Sequence, residues 1–459
     1  LSLSGVIALP SQGAAKLKVI NDVSQLNPVT VSEERRPRST DDVRAALRAW
    51  SGAVSVGGGC FSMGGQIAEP NSLHLDMRGM NQVIALDESR KTIRVQGGTT
   101  WRGIQEAIDS RDLSVKIMQS FSNFTVGGYV SVNCHGRYVN RGPLINSARA
   151  VQAVTAGGDI LELTRSRDAD LFRAVFGGYG GLGVITEVEL DLEPNFRIKR
   201  LIKEISLERY PQYFRTEVLP DSRTLLHNAD LVPPNFDAPR AVSWVQTDAP
   251  LTVQERLVPR GQKYELEKDA IWLMTELRGG SALRHEFDNR QLQEEKVVWR
   301  NHEASLDTAM LEPRTRSIST YLLQEYFIPV GNFLPFVRQM AAILKAHHVA
   351  APNVSIRHSP ADAESLLRWA PAEVFSFVLY YKQRVSRQAS SDTRVWTRAL
   401  IEAALENDGR YYLPYRLDAT RGQFDRAYPE ASAFVVLKSR IDPHNRFRNL
   451  LWDKYLAPV

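Results

Sequence analysis

The sequence predicts an α+β protein, and three observations carry that reading. Hairpin-forming strand pairs interleave with single helices, without the regular βαβ series of a doubly wound parallel sheet. Glycine is concentrated early: of 29 glycines in 459 residues, 23 lie between Gly5 and Gly183. The composition, 43% hydrophobic and 24% charged with net charge +5, is that of a globular chain and excludes wholesale disorder or a fibre.

The elements follow in order. Asp41–Trp50 places Val43, Leu47 and Trp50 at helical spacing behind the cap candidates Ser39 and Thr40. Asn81–Leu86 and Thr92–Gln96 are β-rich and flank a short polar turn, which predicts a hairpin. Trp101–Ile108 reads as a helix with Trp101, Ile104, Ala107 and Ile108 on one side. Ala150–Ala156 and Ile160–Thr164 flank Gly157-Gly158-Asp159 as a second hairpin, and Asp168–Phe176 is a helix stopped by Gly177. Val184–Leu192 alternates apolar residues with Glu187, Glu189 and Asp191, the pattern of a strand with two different faces. Further on, Leu322–Pro329 and Val374–Gln383 read as strands, and Phe333–His347, Thr393–Glu406 and Ala431–Ser439 as helices. Glycine thins out after Glu193-Pro194-Asn195, which marks the main domain boundary.

Several function classes drop out. The basic residues form no dense stripe with interleaved aromatics, so nucleic-acid binding is not expected. Gly178-Tyr179-Gly180-Gly181-Leu182-Gly183 fits G-x-G-x-x-G, but a helix precedes it and a strand follows, the reverse of a dinucleotide fingerprint. No P-loop or G-x-S-x-G elbow occurs, and the scattered histidines, His347-His348 included, predict no metal site. Two cysteines, Cys60 and Cys134, cannot build a disulfide framework. No apolar run is long enough to cross a bilayer. The mildly apolar Leu1–Pro10 is compatible with the stub of a signal or anchor segment or with a plain terminus, which leaves a cytoplasmic and a membrane-associated location both open.

Two loops carry the chemistry. Gly57-Gly58-Gly59-Cys60-Phe61-Ser62 follows a short strand, and its glycines let several N–H groups converge on an anion such as a pyrophosphate. Close approach is the reason for glycine at 58 and 59, reinforced by positive φ if the loop uses it. The second loop, Thr125-Val126-Gly127-Gly128 through Asn133-Cys134-His135-Gly136, adds hydrogen-bonding side chains around three more glycines.

Taken with their neighbours, these loops resemble the vanillyl-alcohol-oxidase, or PCMH-type, family of FAD-linked oxidoreductases. The resemblance rests on Val54–Gln66, Leu73–Val83, Gln96–Ile108, Thr125–Arg137, Phe176–Leu192, and Tyr411–Tyr415 with Ile441–Phe447, six segments in the family's order. Gln324-Glu325-Tyr326-Phe327-Ile328-Pro329 and Tyr411-Tyr412-Leu413-Pro414-Tyr415 look closest to the branch of decaprenylphosphoryl-ribose, alditol and aldonolactone oxidases. The resemblance implies a two-lobed FAD domain from 15–195 and 406–459, interrupted by a substrate or cap domain at 196–405 with an antiparallel sheet flanked by helices. It implies FAD contacts from Gly57, Gly58, Gly59, Cys60, Phe61, Ser62 and Gln66; from Gln119, Ser120, Thr125, Val126, Gly127, Gly128, Val132, Asn133, His135 and Gly136; and from Gly183, Val184 and Ile185.

Two departures from the family pattern matter. Covalent members carry a histidine where this chain has Phe61, so the FAD is expected to be non-covalent, with Cys134 serving buried packing. The ribose-oxidase branch carries a lysine where Tyr415 stands, which weakens the case for a lipid-phosphate substrate. The implied function is oxidation of an alcohol on a sugar, alditol or related polyol, free or lipid-linked, by hydride transfer to flavin N5. Tyr415, Glu325, Tyr326, His135 and Arg416 are the catalytic candidates, and oxygen or a quinone is the electron acceptor. The competing reading is a decayed flavin- or polyol-binding protein.

Overall fold

A computed structural model describes residues 17–276, 294–313 and 315–457; Leu1–Pro10 lies outside them. The architecture is α+β, as expected. The first helix, Thr40–Ala49, starts on a capping box in which Ser39 accepts from the Asp42 N–H and Asp42 accepts from Ser39, a device that contributes about 1 kcal/mol. It buries Val43, Ala46 and Leu47.

Three sheets position the site. A parallel sheet of three strands runs Glu33–Arg35, Leu73–Asp76, Val54–Gly57. Its Val54–Gly57 strand pairs on its other side with the C-terminal segment: Val54 N–H donates to Arg446 O at 2.7 Å, and Arg448 N–H donates to Val54 O at 3.0 Å. A second sheet is antiparallel, in the order Ile160–Thr164, Ala148–Val154, Val184–Pro194, Thr92–Gln96, Val83–Asp87. Both expected hairpins are in it. The G-x-G-x-x-G stretch lies between helix Ala169–Val175 and strand Val184–Pro194, the context that rules out a Rossmann site.

The third sheet has eight antiparallel strands, in the order Val297–Trp299, Arg197–Glu204, Arg240–Gln246, Thr224–Leu231, Asn353–Ser359, Val374–Arg384, Ser319–Pro329, Arg410–Tyr411. Helix Phe333–Ala346 buries Phe336, Val337, Met340 and Leu344, and its Phe336 packs on Phe377 of the sheet at 4.9 Å. The edge strand Arg410–Tyr411 hydrogen-bonds to Ser319–Pro329, so the chain leaves this sheet immediately before Tyr412–Tyr415.

Candidate active site

A cavity lies between the glycine loops and the eight-stranded sheet, lined from both. Along the first loop, Gly57, Gly58, Gly59, Cys60, Phe61, Ser62 and Gln66 all reach it. The left-handed backbone falls on Cys60, φ 60°, and not on Gly58 or Gly59. Glycine at 58 answers a different need: a Cβ there would lie 2.2 Å from Thr125 Oγ1. The two loops therefore touch where the glycines are. Gln66 fixes the loop to the C-terminal segment, donating to the carbonyls of Leu413 at 2.7 Å and Tyr415 at 2.6 Å. That clasp carries Tyr415 to the cavity.

From the second loop and its flanks, Gln119, Ser120, Thr125, Gly127, Gly128 and Val132 line the cavity, with Gly183 and Ile185 from the closing segment. Val126, Asn133, His135, Gly136 and Val184 do not. Val126 and Val184 are fully buried core residues. Asn133 is spent on Asp362 at 3.2 Å and on the Ile145 N–H at 3.2 Å. Gly136 packs so closely on the Met118 carbonyl that a Cβ would meet it at 2.1 Å. Cys134 packs on the core but also lines the cavity, where its thiol donates to Gln119 Oε1 at 3.4 Å. Burial, then the Glu325 charge, pushes its pKa up to about 12. Phe61 stacks on Phe124 at 4.1 Å and offers no nucleophile.

The catalytic candidates separate into two groups. His135 Nε2 meets Glu325 Oε1 at 2.7 Å, and Tyr415 Oη donates to Glu325 Oε2 at 3.4 Å. Tyr415 lines the cavity, while Glu325 and His135 stand behind it, 2% and 3% exposed. Both nitrogens of His135 face acceptors, Glu325 Oε1 and the Gly136 carbonyl, so the ring donates toward the carboxylate. Burial alone would raise the Glu325 pKa, but His135, by charge and hydrogen bond, and Arg357 outweigh it and hold the carboxyl below its ordinary range. Burial, then the Glu325 charge, drives the Tyr415 phenol well above its usual range. The pair is thus a carboxylate and a protonated phenol.

Tyr326 and Arg416 are corrections. Strand alternation turns Tyr326 to the face opposite Glu325, where it is fully buried and packs on Phe336 at 5.9 Å. Arg416 is held by Asp418 at 2.8 Å and Gln383 at 3.1 Å, away from the cavity wall. The reading of the sequence missed Arg316, Tyr321, Tyr380 and Arg357, all of which line the cavity from the eight-stranded sheet or its approach. Tyr321 and Tyr380 stack at 5.4 Å. The signal was present for Arg357: in Asn353–Ser359, Val354, Ile356 and His358 are buried, leaving Asn353, Ser355 and Arg357 as a polar row.

With this geometry in hand, residues 34–164 match the FAD_binding_4 family, described as an FAD binding domain. The chain carries a PCMH-type FAD-binding domain. It is 29% identical over 445 residues to L-gulonolactone oxidase from Bos taurus, covering 91% of this chain and 94% of that protein. It is 28% identical over 183 residues to alditol oxidase from Streptomyces sp. (strain IKD472 / FERM P-14339), 39% of this chain and 43% of that protein. It is 32% identical over 127 residues to mitochondrial L-galactono-1,4-lactone dehydrogenase 1 from Oryza sativa subsp. japonica, 26% of this chain and 22% of that protein. The protein is an FAD-dependent oxidoreductase.

The residues present fit FAD. Thr125 Oγ1 is buried without a hydrogen-bond partner beside the glycine at 58, the kind of orphaned group a phosphate oxygen satisfies. Phe61, Phe121, Phe124 and Ile185 supply apolar wall for a flat ring system. Among the described residues, no group of three or more His, Cys, Asp and Glu side chains is arranged to hold a metal, and no helix is long and apolar enough to cross a membrane.

Proposed function

We propose that this flavoenzyme oxidises a CH–OH group of a sugar, alditol or related polyol. The observation that carries the reading is the Glu325–Tyr415 pair on the sheet side of the cavity, facing a loop surface suited to FAD. The relatives' names, which specify an aldonolactone and an alditol, support the substrate class. Residues 15–195 and 406–459 would hold the cofactor and 196–405 the substrate. Phe61, having no nucleophile, supports a non-covalent flavin. FAD bound there would supply the two-electron acceptor for the alcohol's oxidation.

The protein's part is the proton. The substrate hydroxyl donates to Tyr415 Oη, and the Tyr415 proton moves to Glu325 Oε2, so no free phenolate forms. A carboxylate held this acidic is a weak sink, so the relay runs together with hydride departure, not before it. His135, donating to the other carboxylate oxygen, fixes the Glu325 rotamer. Aromatic and aliphatic walls hold the reacting carbon and exclude bulk water, which supplies much of the rate advantage.

Anaerobic mixing of the holoenzyme with a panel of alditols, aldonates and aldonolactones tests the reading. Bleaching of the flavin band is expected with at least one, and reoxidation in air or by a soluble quinone identifies the acceptor. A flavin that stays oxidised throughout, in a preparation reducible by dithionite, overturns it.

A further inference from the structure

A second cavity adjoins the first, and Phe121, Leu323, Val378 and Tyr380 stand on the wall of both. Beyond that wall its lining is mixed. Ile271, Leu306, Met310 and Pro352 are apolar, and Asn353 and Ser355 bring polar groups from the neighbouring strand.

Strand register sets the order of groups between the two cavities. Val378 pairs with Glu325, and Tyr380 pairs with Leu323. Glu325, Leu323 and Tyr321 alternate onto one face of their strand, and Val378 and Tyr380 onto one face of theirs. Tyr380 thus lies two residues past the level of Glu325, about 7 Å along the sheet, where the cavities meet. The two tyrosines at this junction have spent their hydroxyls elsewhere. Tyr321 Oη lies 2.6 Å from Thr275 Oγ1, and Tyr380 Oη donates to the Leu311 carbonyl at 2.7 Å. Their rings stack at 5.4 Å and 16°, so each braces the other. What Tyr380 presents to both cavities is therefore ring carbon and not a hydroxyl.

A sugar ring has the matching surface. Its C–H groups gather on one face, which suits the electron-rich face of an aromatic ring. Its hydroxyls lie on the rim, which suits a hydroxyl and an amide such as those of Ser355 and Asn353. An alkyl chain would instead desolvate those two groups without replacing their hydrogen bonds. Resting on the polyol-oxidation reading above, we propose that the substrate is a glycosylated polyol, and that Tyr380 stacks its non-reacting sugar ring where the two cavities meet. The hydroxyl to be oxidised then lies beside Tyr415 in the first cavity, and the rim of the sugar ring reaches Ser355 and Asn353 in the second. Tyr380 is thereby a specificity-determining residue, and Tyr321 positions it.

The test titrates oxidised holoenzyme with glucitol, maltitol, isomaltitol and a 6-O-hexyl ether of glucitol. Perturbation of the flavin spectrum reads affinity, and anaerobic bleaching reads turnover. Maltitol and isomaltitol carry the glucosyl ring at two different distances along the alditol. At least one of them is expected to bind about 5–50-fold more tightly than glucitol, the worth of a stacked ring and one hydrogen bond. Tyr380→Phe keeps the ring, so the preference should stay within about twofold of wild type. Tyr380→Leu loses the ring, and the preference should fall about 3–10-fold; FAD content and Tm are measured for each variant. A wild type that prefers neither glycosyl alditol overturns the proposal. So does a hexyl ether that binds more tightly than both, since the junction would then take an apolar chain. A preference lost equally in the Phe and Leu variants also overturns it, because the bond to Leu311 and not the ring would be at work. Equal weakening of all four ligands in Tyr380→Leu does the same, since Tyr380 would then serve the flavin or the fold. If nothing bleaches the flavin, polyol oxidation fails, while the binding ratios still decide the role of Tyr380.

Discussion

Adding one methyl group at Gly58 tests the contact between the two loops. A Cβ there would stand 2.2 Å from Thr125 Oγ1, 3.3 Å from its Cβ and 3.6 Å from its Cγ2. Real Cβ contacts do not fall below 3.0 Å, so one loop must retreat by at least 0.8 Å. The nearest atom is also the buried Thr125 hydroxyl that has no hydrogen-bond partner among the described residues. Overpacking of this size costs about 1–3 kcal/mol, so Gly58→Ala should weaken FAD binding about 5–150-fold. The structure also specifies the rescue. In Gly58→Ala/Thr125→Ala the clashing oxygen is gone and the closest remaining atom is the position-125 Cβ, a tight but tolerable 3.3 Å. The double variant should therefore bind FAD better than the sum of the single losses allows. Fluorescence titration of the four deflavinated proteins with FAD measures the cycle. A Gly58→Ala affinity within twofold of wild type, or strictly additive losses, would refute the proposed loop contact.

Glu325→Gln should slow flavin reduction about 10²–10⁴-fold with FAD content retained. Tyr415→Phe removes the only link between the substrate hydroxyl and Glu325, so it should slow flavin reduction to a similar extent, about 10²–10⁴-fold; stopped-flow reduction compares them. Because the Glu325 pKa is depressed, the wild-type reduction rate should stay level as pH falls through the ordinary carboxylate range and drop only below it. A decline centred near pH 6 would point to another base. Acid precipitation should leave the flavin in the supernatant, and a yellow washed pellet would implicate Cys60 or Cys134. Burial lowers the His227 pKa to about 3, so the unfolded chain takes up its proton first, and the stability of the neutral ring is lost as pH falls below about 6.5. Between pH 6.5 and 5 the stability advantage of wild type over His227→Asn should shrink by about 2 kcal/mol, measured by urea unfolding; a constant difference refutes this.

The glycine-rich half was legible because its signals are local. The Ser39 cap, the two hairpins and the strand starting at Val184 each declare themselves within a dozen residues, and the loop motifs sit at fixed distances from them. The substrate side was less legible for a physical reason. Arg357, Tyr380 and Glu325 come from three neighbouring strands of one antiparallel sheet, and no short-range pattern in the chain states which strands will be neighbours. Tyr326 was a different kind of error: period-two alternation already says that it and Glu325 cannot share a face. His135, expected among the groups around the alcohol, meets Glu325 instead of lining the cavity, a contact between the second loop and the sheet that no local pattern announces.

The pairing of Val54 with Arg446 and Arg448 has a consequence for how the protein is made. The strand that launches the first glycine loop gains hydrogen bonds on one side from residues almost 400 positions later. Nearby, Lys438 donates to the Gly181 carbonyl at 2.7 Å, and Trp452 packs so closely on Gly181 that no side chain fits there. A nascent chain emerging from the ribosome therefore holds an unfinished cofactor loop through most of its synthesis. Contacts of such long range close late and slowly, so the strand beneath the first glycine loop is fully paired only after residues 446–448 have been released, and chains interrupted before them should be prey for proteases whatever the supply of flavin.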